Sequence, residues 1–154
     1  MQARLVSDDG NGRRTYVVVL DTGDEAMASL KAFAEHERVS AAQVTAIGAF
    51  SRAALGFFEW ERKDYRRIPV EEQVEVVALL GDIGLDAEDR PALHLHAVLG
   101  RHDGSTLGGH LIEARVRPTL EVIVTESPAH LHRCHDRETG LALIRLGAAG
   151  AAAG

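Results

Sequence analysis

Residues Leu93–Glu113 read LHLHAVLGRHDGSTLGGHLIE. Side chains alternate faces along a strand, so His94 and His96 point the same way. The turn signal His102-Asp103-Gly104 then reverses the chain, and His110 returns on a partner strand. Two loops are open to this sequence, and they give opposite answers. A three-residue loop with Gly104 left-handed pairs Arg101 with Ser105 and sets His96 opposite His110. A two-residue Asp-Gly turn pairs His110 with Ala97 and sends it to the other face.

With the first register, three imidazoles converge on one face of a β-hairpin. Neutral imidazoles suit Zn²⁺ first, with Ni, Cu or Fe after it. Three protein ligands leave a position for water or substrate, the pattern of catalytic rather than structural zinc. The spacing alone also fits one hydrogen-bonded core histidine with the others lining a solvated face.

Around the hairpin the pattern is α/β (α+β), with strands in the majority. Thr15–Leu20 is a continuous β-branched run, hence a buried strand. Asp21–Asp24 ends it, with Thr22 or Asp24 as the helix N-cap. From Glu25 to Arg38, Met27, Leu30, Phe33 and Ala34 keep helical spacing, which predicts an amphipathic helix packed on a sheet. Gln43–Phe50 and Ala53–Trp60 read as two strands broken near Ser51-Arg52, and Glu61–Arg67 as a charged turn or strand edge. Gln73–Leu80 is a further strand, and Thr119–Thr125 follows Pro118. Residues 1–146 are expected to form a single domain, and the Gly/Ala-rich residues 147–154 a disordered tail.

Composition sets ordinary bounds. At 154 residues, 45% hydrophobic and 26% charged, the chain can bury a core without disulfides. Cys134 is the single cysteine, Met1–Asp9 carries no apolar leader, and no apolar run reaches the roughly 20 residues of a membrane helix. A cytoplasmic protein with no membrane partner is the expectation. The net charge of −6 gives no support to a nucleic-acid surface.

Four segments in order resemble the PPC domain family, also called the domain of unknown function 296 family or PD1-like DNA-binding proteins. They are Ile47–Phe58 (IGAFSRAALGFF), Leu79–Gly84 (LLGDIG), His94–Gly100 (HLHAVLG) and Gly108–Val116 (GGHLIEARV); Arg133–Leu141 resembles the closing segment. The specific part is H-x-H followed by G-G-H. The resemblance implies a curved, mostly antiparallel sheet packed with one main helix, and assembly as a homotrimer. It also implies that His94, His96 and His110 hold a metal, usually zinc. Gly108 and Gly109 would let the backbone approach closely or bulge just before His110.

The DNA-binding part of the family name finds little echo in these residues. Plant relatives carry an AT-hook ahead of the domain, and this chain has none. Its densest basic stretch, Arg62-Lys63 and Arg66-Arg67, is interleaved with Glu61, Asp64, Glu71 and Glu72, which predicts an internally balanced face. Trp60, Tyr65, Phe57 and Phe58 read as core or subunit-interface groups rather than base-stacking ones.

The alternative function is a zinc-dependent enzyme, of hydrolase or lyase type, acting on a small molecule at the open metal position. Glu113, three residues after His110, falls on the opposite face of a regular strand and is a poor base. Glu121, on the following strand, could serve as a base or support the site, but a surface carboxylate or an ion pair with Arg115 or Arg117 is the preferred reading. Arg52 is placed to bind an anionic substrate or to make a salt bridge. The cluster His130, His132, Cys134 and His135 reads as an exposed, non-ligating loop, with His36 at the helix C-terminus suiting the dipole.

Overall fold

A computed structural model describes residues 1–146; the expected Gly/Ala tail lies outside them. The described chain runs β1 (Gln2–Asp8), β2 (Arg14–Asp21), α1 (Ala26–Glu37), β3 (Ala42–Glu59), β4 (Asp64–Val70), β5 (Val74–Leu85), β6 (Pro91–Gly100), β7 (Thr106–Glu126), β8 (Arg133–His135) and β9 (Ala142–Ile144). The first seven strands make one antiparallel sheet in the order β1-β2-β7-β6-β5-β3-β4, and β7 pairs with β3 as well. The pairings β3–β5, β5–β6, β6–β7 and β7–β3 therefore close a ring. The curved, mostly antiparallel sheet with one helix is the architecture expected from the sequence.

Closure separates an inner from an outer face. The inner face carries Leu20, Phe50, Leu55, Leu79, Leu95, Leu99, Leu111 and Leu120, all fully buried in one cluster with α1. Burial of each contributes about 1.5–3 kcal/mol. The helix offers Ala26, Leu30, Phe33 and Ala34, one stripe at helical spacing. Phe33 meets Tyr16 edge-on at 5.2 Å, and the Tyr16 hydroxyl donates to Glu37 at 3.0 Å. Arg14 forks onto Glu126 and also donates to the Glu37 carbonyl at 3.1 Å, fastening β2, β7 and the helix end together.

Three local expectations need correcting. The N-cap is Glu25, not Thr22 or Asp24: its carboxylate accepts from the N–H groups of Met27 and Ala28 and, from across the fold, of Ala114 at 2.9 Å. A short Thr or Asp side chain cannot serve helix and strand together. Next, β3 does not break at Ser51-Arg52; it runs for 18 residues and absorbs the irregularity as register shifts against β7. Likewise β7 continues through Pro118 for 21 residues. Its pairing with β3 shifts between Val116 and Leu120, so the ladder does not need the N–H that proline lacks.

Of the two places expected for the aromatic group, core or subunit interface, the core is excluded: Phe57 and Trp60 are exposed, and Phe58 and Tyr65 half-buried. No helix is long and apolar enough to cross a membrane.

Candidate metal centre

The three-residue loop is the one the chain adopts. Arg101 N–H donates to the Ser105 carbonyl at 2.8 Å, Gly104 N–H returns to the Arg101 carbonyl at 2.9 Å, and Gly104 takes φ +82°. Asp103 locks the turn by accepting from Ser105 N–H and Oγ at 2.9 and 2.6 Å. From this loop the register counts outward unbroken, through Gly100 opposite Thr106, to His96 opposite His110.

Of the two glycines before His110, Gly109 acts by close approach, while a Cβ on Gly108 would meet only ordinary contacts, and no bulge falls at either. A Cβ on Gly109 would lie 2.7 Å from the Gly56 carbonyl oxygen on β3. The bulge comes after His110, where Leu55 faces Leu111 and Ala54 faces Glu113, leaving Ile112 over. It corrects the placing of Glu113. The extra residue returns Glu113 to the face of His110, where it pairs with Arg67.

On the outer face the imidazoles of His94, His96 and His110 converge, each offering one ligand atom, all within 4.8 Å of one another. The Nε2 atoms of His94 and His96 are 3.2 Å apart. Two nitrogens at 2.0–2.1 Å from a tetrahedral ion stand about 3.3 Å apart, so this spacing already fits a shared metal. Nδ1 of His110 is buried with no hydrogen-bond partner. Among the described residues this is the one place where three histidine, cysteine or carboxylate ligand atoms gather.

The electrostatics disfavour the charged forms of His94 and His110. Burial, above all, pushes His110 down to about 4, helped by the charges of His94, His96 and Arg133. His94 is lowered by burial and then by Arg133 and His96, with Asp82 opposing. An imidazole that stays unprotonated at neutral pH presents its lone pair to a metal without first losing a proton.

The neighbours were not foreseen from the sequence. Asp82 stands directly opposite His94 on β5 and is ion-paired with Arg133, which is 7% exposed and reaches in from β8. Leu80 stands opposite His96. Tyr65, read as part of a charged turn or edge, stacks on His110 with centroids 4.7 Å apart and planes at 25°. The burial pattern of β4 does not alternate, so no local period marks the face of this ring.

The remaining sequence-selected residues are elsewhere. Arg52 faces Arg115 on the β3–β7 ladder, four residues along β3 from Gly56, the partner of His110. Glu121 lies far along β7 from His110, opposite Ile47 on β3, in a shallow groove with Ile47, Val77, Leu80 and Ile123. His130 bonds Ser40 Oγ at 2.7 Å, His132 is 3.7 Å from Asp89, and Cys134 is a half-buried free thiol.

A closed antiparallel sheet around one helix, with histidines from a hairpin on its outer face, defines a recognisable class of small domain. The profile of the Plants and Prokaryotes Conserved (PCC) domain matches residues 7–128, and the chain belongs to that family. Among solved structures it is similar to a plant- and prokaryote-conserved (PPC) protein from Pyrococcus horikoshii, at 30% identity and TM-score 0.81, covering 86% of this chain and 92% of that one. A metal-containing protein from Archaeoglobus fulgidus is 32% identical with TM-score 0.79, covering 86% and 93%. A protein from Bacteroides thetaiotaomicron that carries a provisional DNA-binding name is 29% identical with TM-score 0.82, covering 90% and 94%. No protein of curated function matches the chain.

Proposed function

We propose that this protein is a homotrimeric zinc-binding member of the family, holding one ion per chain on His94, His96 and His110. The observation that carries the reading is the convergence of three imidazoles on one face, two of them already at the separation a tetrahedral ion requires. The metal-containing relative from Archaeoglobus fulgidus supports it. Zinc is favoured over softer or harder ions because the donor set is all imidazole.

No fourth protein ligand joins the group among the described residues. The position that remains suits a small-molecule ligand, and when zinc is bound it supplies a Lewis acid and an acidified water there. The chain's own contribution is shape and charge. Tyr65 covers one side of His110, while Asp82 balances the Arg133 guanidinium beside His94. Two carboxylates on this face, Asp82 opposite His94 and Glu113 beyond the bulge, are engaged by arginines. Binding of a small ligand is therefore favoured over hydrolysis by a carboxylate base; a zinc-dependent enzyme is the second reading, carried by the open position.

Trimer formation is supported by the outer face. Ile47, Val77 and Leu80 are each more than half exposed, and Ile123 joins them across adjacent strands. Monomers rarely leave such an apolar patch in water. A DNA surface is not part of this reading. Arg62 and Arg66 pair with Glu59, and Arg67 with Glu113, so phosphates would have to displace protein carboxylates.

Elemental mass spectrometry on untagged protein purified without added metal tests the centre. About one zinc per chain, lost in His96→Ala, is the expected result. An absence of metal from the wild type, or its retention in the variant, overturns the reading.

A further inference from the structure

A cavity of about 190 Å³ lies on the same outer face as the histidines but farther along β3 and β7. Its charged lining is Glu25, Arg52, Glu71, Glu113 and Arg115. A shallower depression continues from it past Arg52 and Arg115 to Arg117. The positive charges are set against one another: Arg52 stands directly opposite Arg115 across the β3–β7 ladder, and Arg117 follows two residues on. Like charges facing across a ladder destabilise a sheet unless something lies between them.

The carboxylates present are largely committed elsewhere. Glu25 accepts from three backbone N–H groups, those of Met27, Ala28 and Ala114. Glu113 is held by Arg67. Glu71, together with Glu25, whose charge the helix N-terminus only partly offsets, is left to set against the three guanidinium groups of the two depressions. Arg115 itself donates to a neutral acceptor, the Gly23 carbonyl, at 3.0 Å, which fixes its head without neutralising it. A ligand that satisfies the facing guanidinium groups carries negative charge and several acceptor oxygens, and fits a small cleft. Phosphate groups match guanidinium forks in geometry and charge, and a phosphomonoester is close to a dianion at neutral pH.

We propose that the cleft formed by Arg52, Arg115 and Arg117 is a binding site for a small phosphate-class dianion, either inorganic phosphate or the phosphomonoester of a small metabolite. The site is separate from the histidines and stands whether or not they hold metal.

The test is a calorimetric titration of the whole chain with inorganic phosphate, against chloride at matched ionic strength, with thermal melts in both salts. Wild type is expected to bind phosphate saturably and to melt higher in it. Arg52→Gln is expected to bind roughly tenfold more weakly or worse, the loss of one charge-assisted fork. The same variant should melt no lower than wild type in chloride, because it also removes the facing like charge, and this reports that it folds. His96→Ala should bind phosphate as wild type does, which separates the cleft from phosphate held on a metal. A small phosphomonoester such as glycerol phosphate should compete, whereas short duplex DNA should not. The proposal is overturned if wild type shows no response beyond chloride, if Arg52→Gln binds unchanged, or if His96→Ala abolishes binding. It is equally overturned if duplex DNA outcompetes phosphate, or if Arg52→Gln changes only the oligomeric state, which would make the arginines a contact between copies.

Discussion

Tyr65 and His110 stack at 4.7 Å although their strands are not neighbours: β3 runs between β4 and β7. They touch because the β3 residue lying between them is Gly56, which faces Arg67 on one side and His110 on the other. A Cβ on Gly56 would sit 2.8 Å from Tyr65 Cδ1 and 3.2 Å from Ile112 Cδ1. Gly56 is thus a gap through which an aromatic ring steadies a histidine two strands away.

Gly56→Ala should therefore displace Tyr65 and loosen the His110 ring while leaving the ladder intact. Supporting groups around metal ligands are typically worth 10–100-fold in affinity. A loss of about tenfold in zinc affinity is expected, read by competition with a chromophoric chelator, with little change in secondary structure. An unchanged affinity would show that the stack does not orient the ligand.

Much of this arrangement was legible in residue spacing, and the part that was not has a common cause. The hairpin could be read because its register is set locally, by three loop residues and the alternation of side chains. The helix could be read from its apolar period. By contrast, β1 leaves all seven of its residues exposed, so no burial pattern marks it, and it exists through backbone pairing with β2. The long bent strands β3 and β7 look interrupted at Ser51-Arg52 and at Pro118 because their partners change there. Tyr65, Asp82 and Arg133 reach the centre through contacts between segments distant in sequence, and no local period encodes those. The bulge at Ile112 inverted the expected side of Glu113 for the same reason.

The pair Asp82–Arg133 ties the β8/β9 hairpin to the strand beside His94. Arg133 also donates to the Ala142 carbonyl at 3.2 Å, and its Nε has no partner. Asp82→Asn would leave a guanidinium 7% exposed with no counter-charge. Removing one partner of a buried pair costs about 3–5 kcal/mol, so a loss near the lower end, about 3 kcal/mol, is expected in urea unfolding. Amide exchange should accelerate first in the hairpin. If the hairpin keeps its protection and stability falls by under about 1 kcal/mol, the pair is a surface contact in effect.

Ile123 lies in the apolar groove of the outer face and is 40% exposed, so a charge there meets water in a monomer and apolar neighbours in an assembly. Ile123→Glu is expected to convert the trimer to monomer without unfolding it, measured by size-exclusion chromatography with light scattering. Wild type eluting as a monomer would overturn the proposed trimer, and a variant that remains trimeric would move the interface off this face.

The depressed His110 gives the metal-free protein a defined acid limb. Its ordinary value of 6.5 in the unfolded chain falls to about 4 in the fold, chiefly through burial. Between these values the unfolded state holds more protons, so lowering the pH draws the equilibrium towards it. The contribution is complete above 6.5, shrinks as pH falls, and is gone below about 4. Because the ring is only half-buried, solvent screening reduces its size to the order of 1–2 kcal/mol. Chelator-treated wild type should lose melting temperature between pH 6.5 and 4.5 more steeply than His110→Gln, which has no such proton to take up. Parallel curves would rule the linkage out. With zinc bound, the same protons must compete with the metal. The acid limb should then coincide with zinc release, and a zinc-sensitive dye present during the titration reports whether it does.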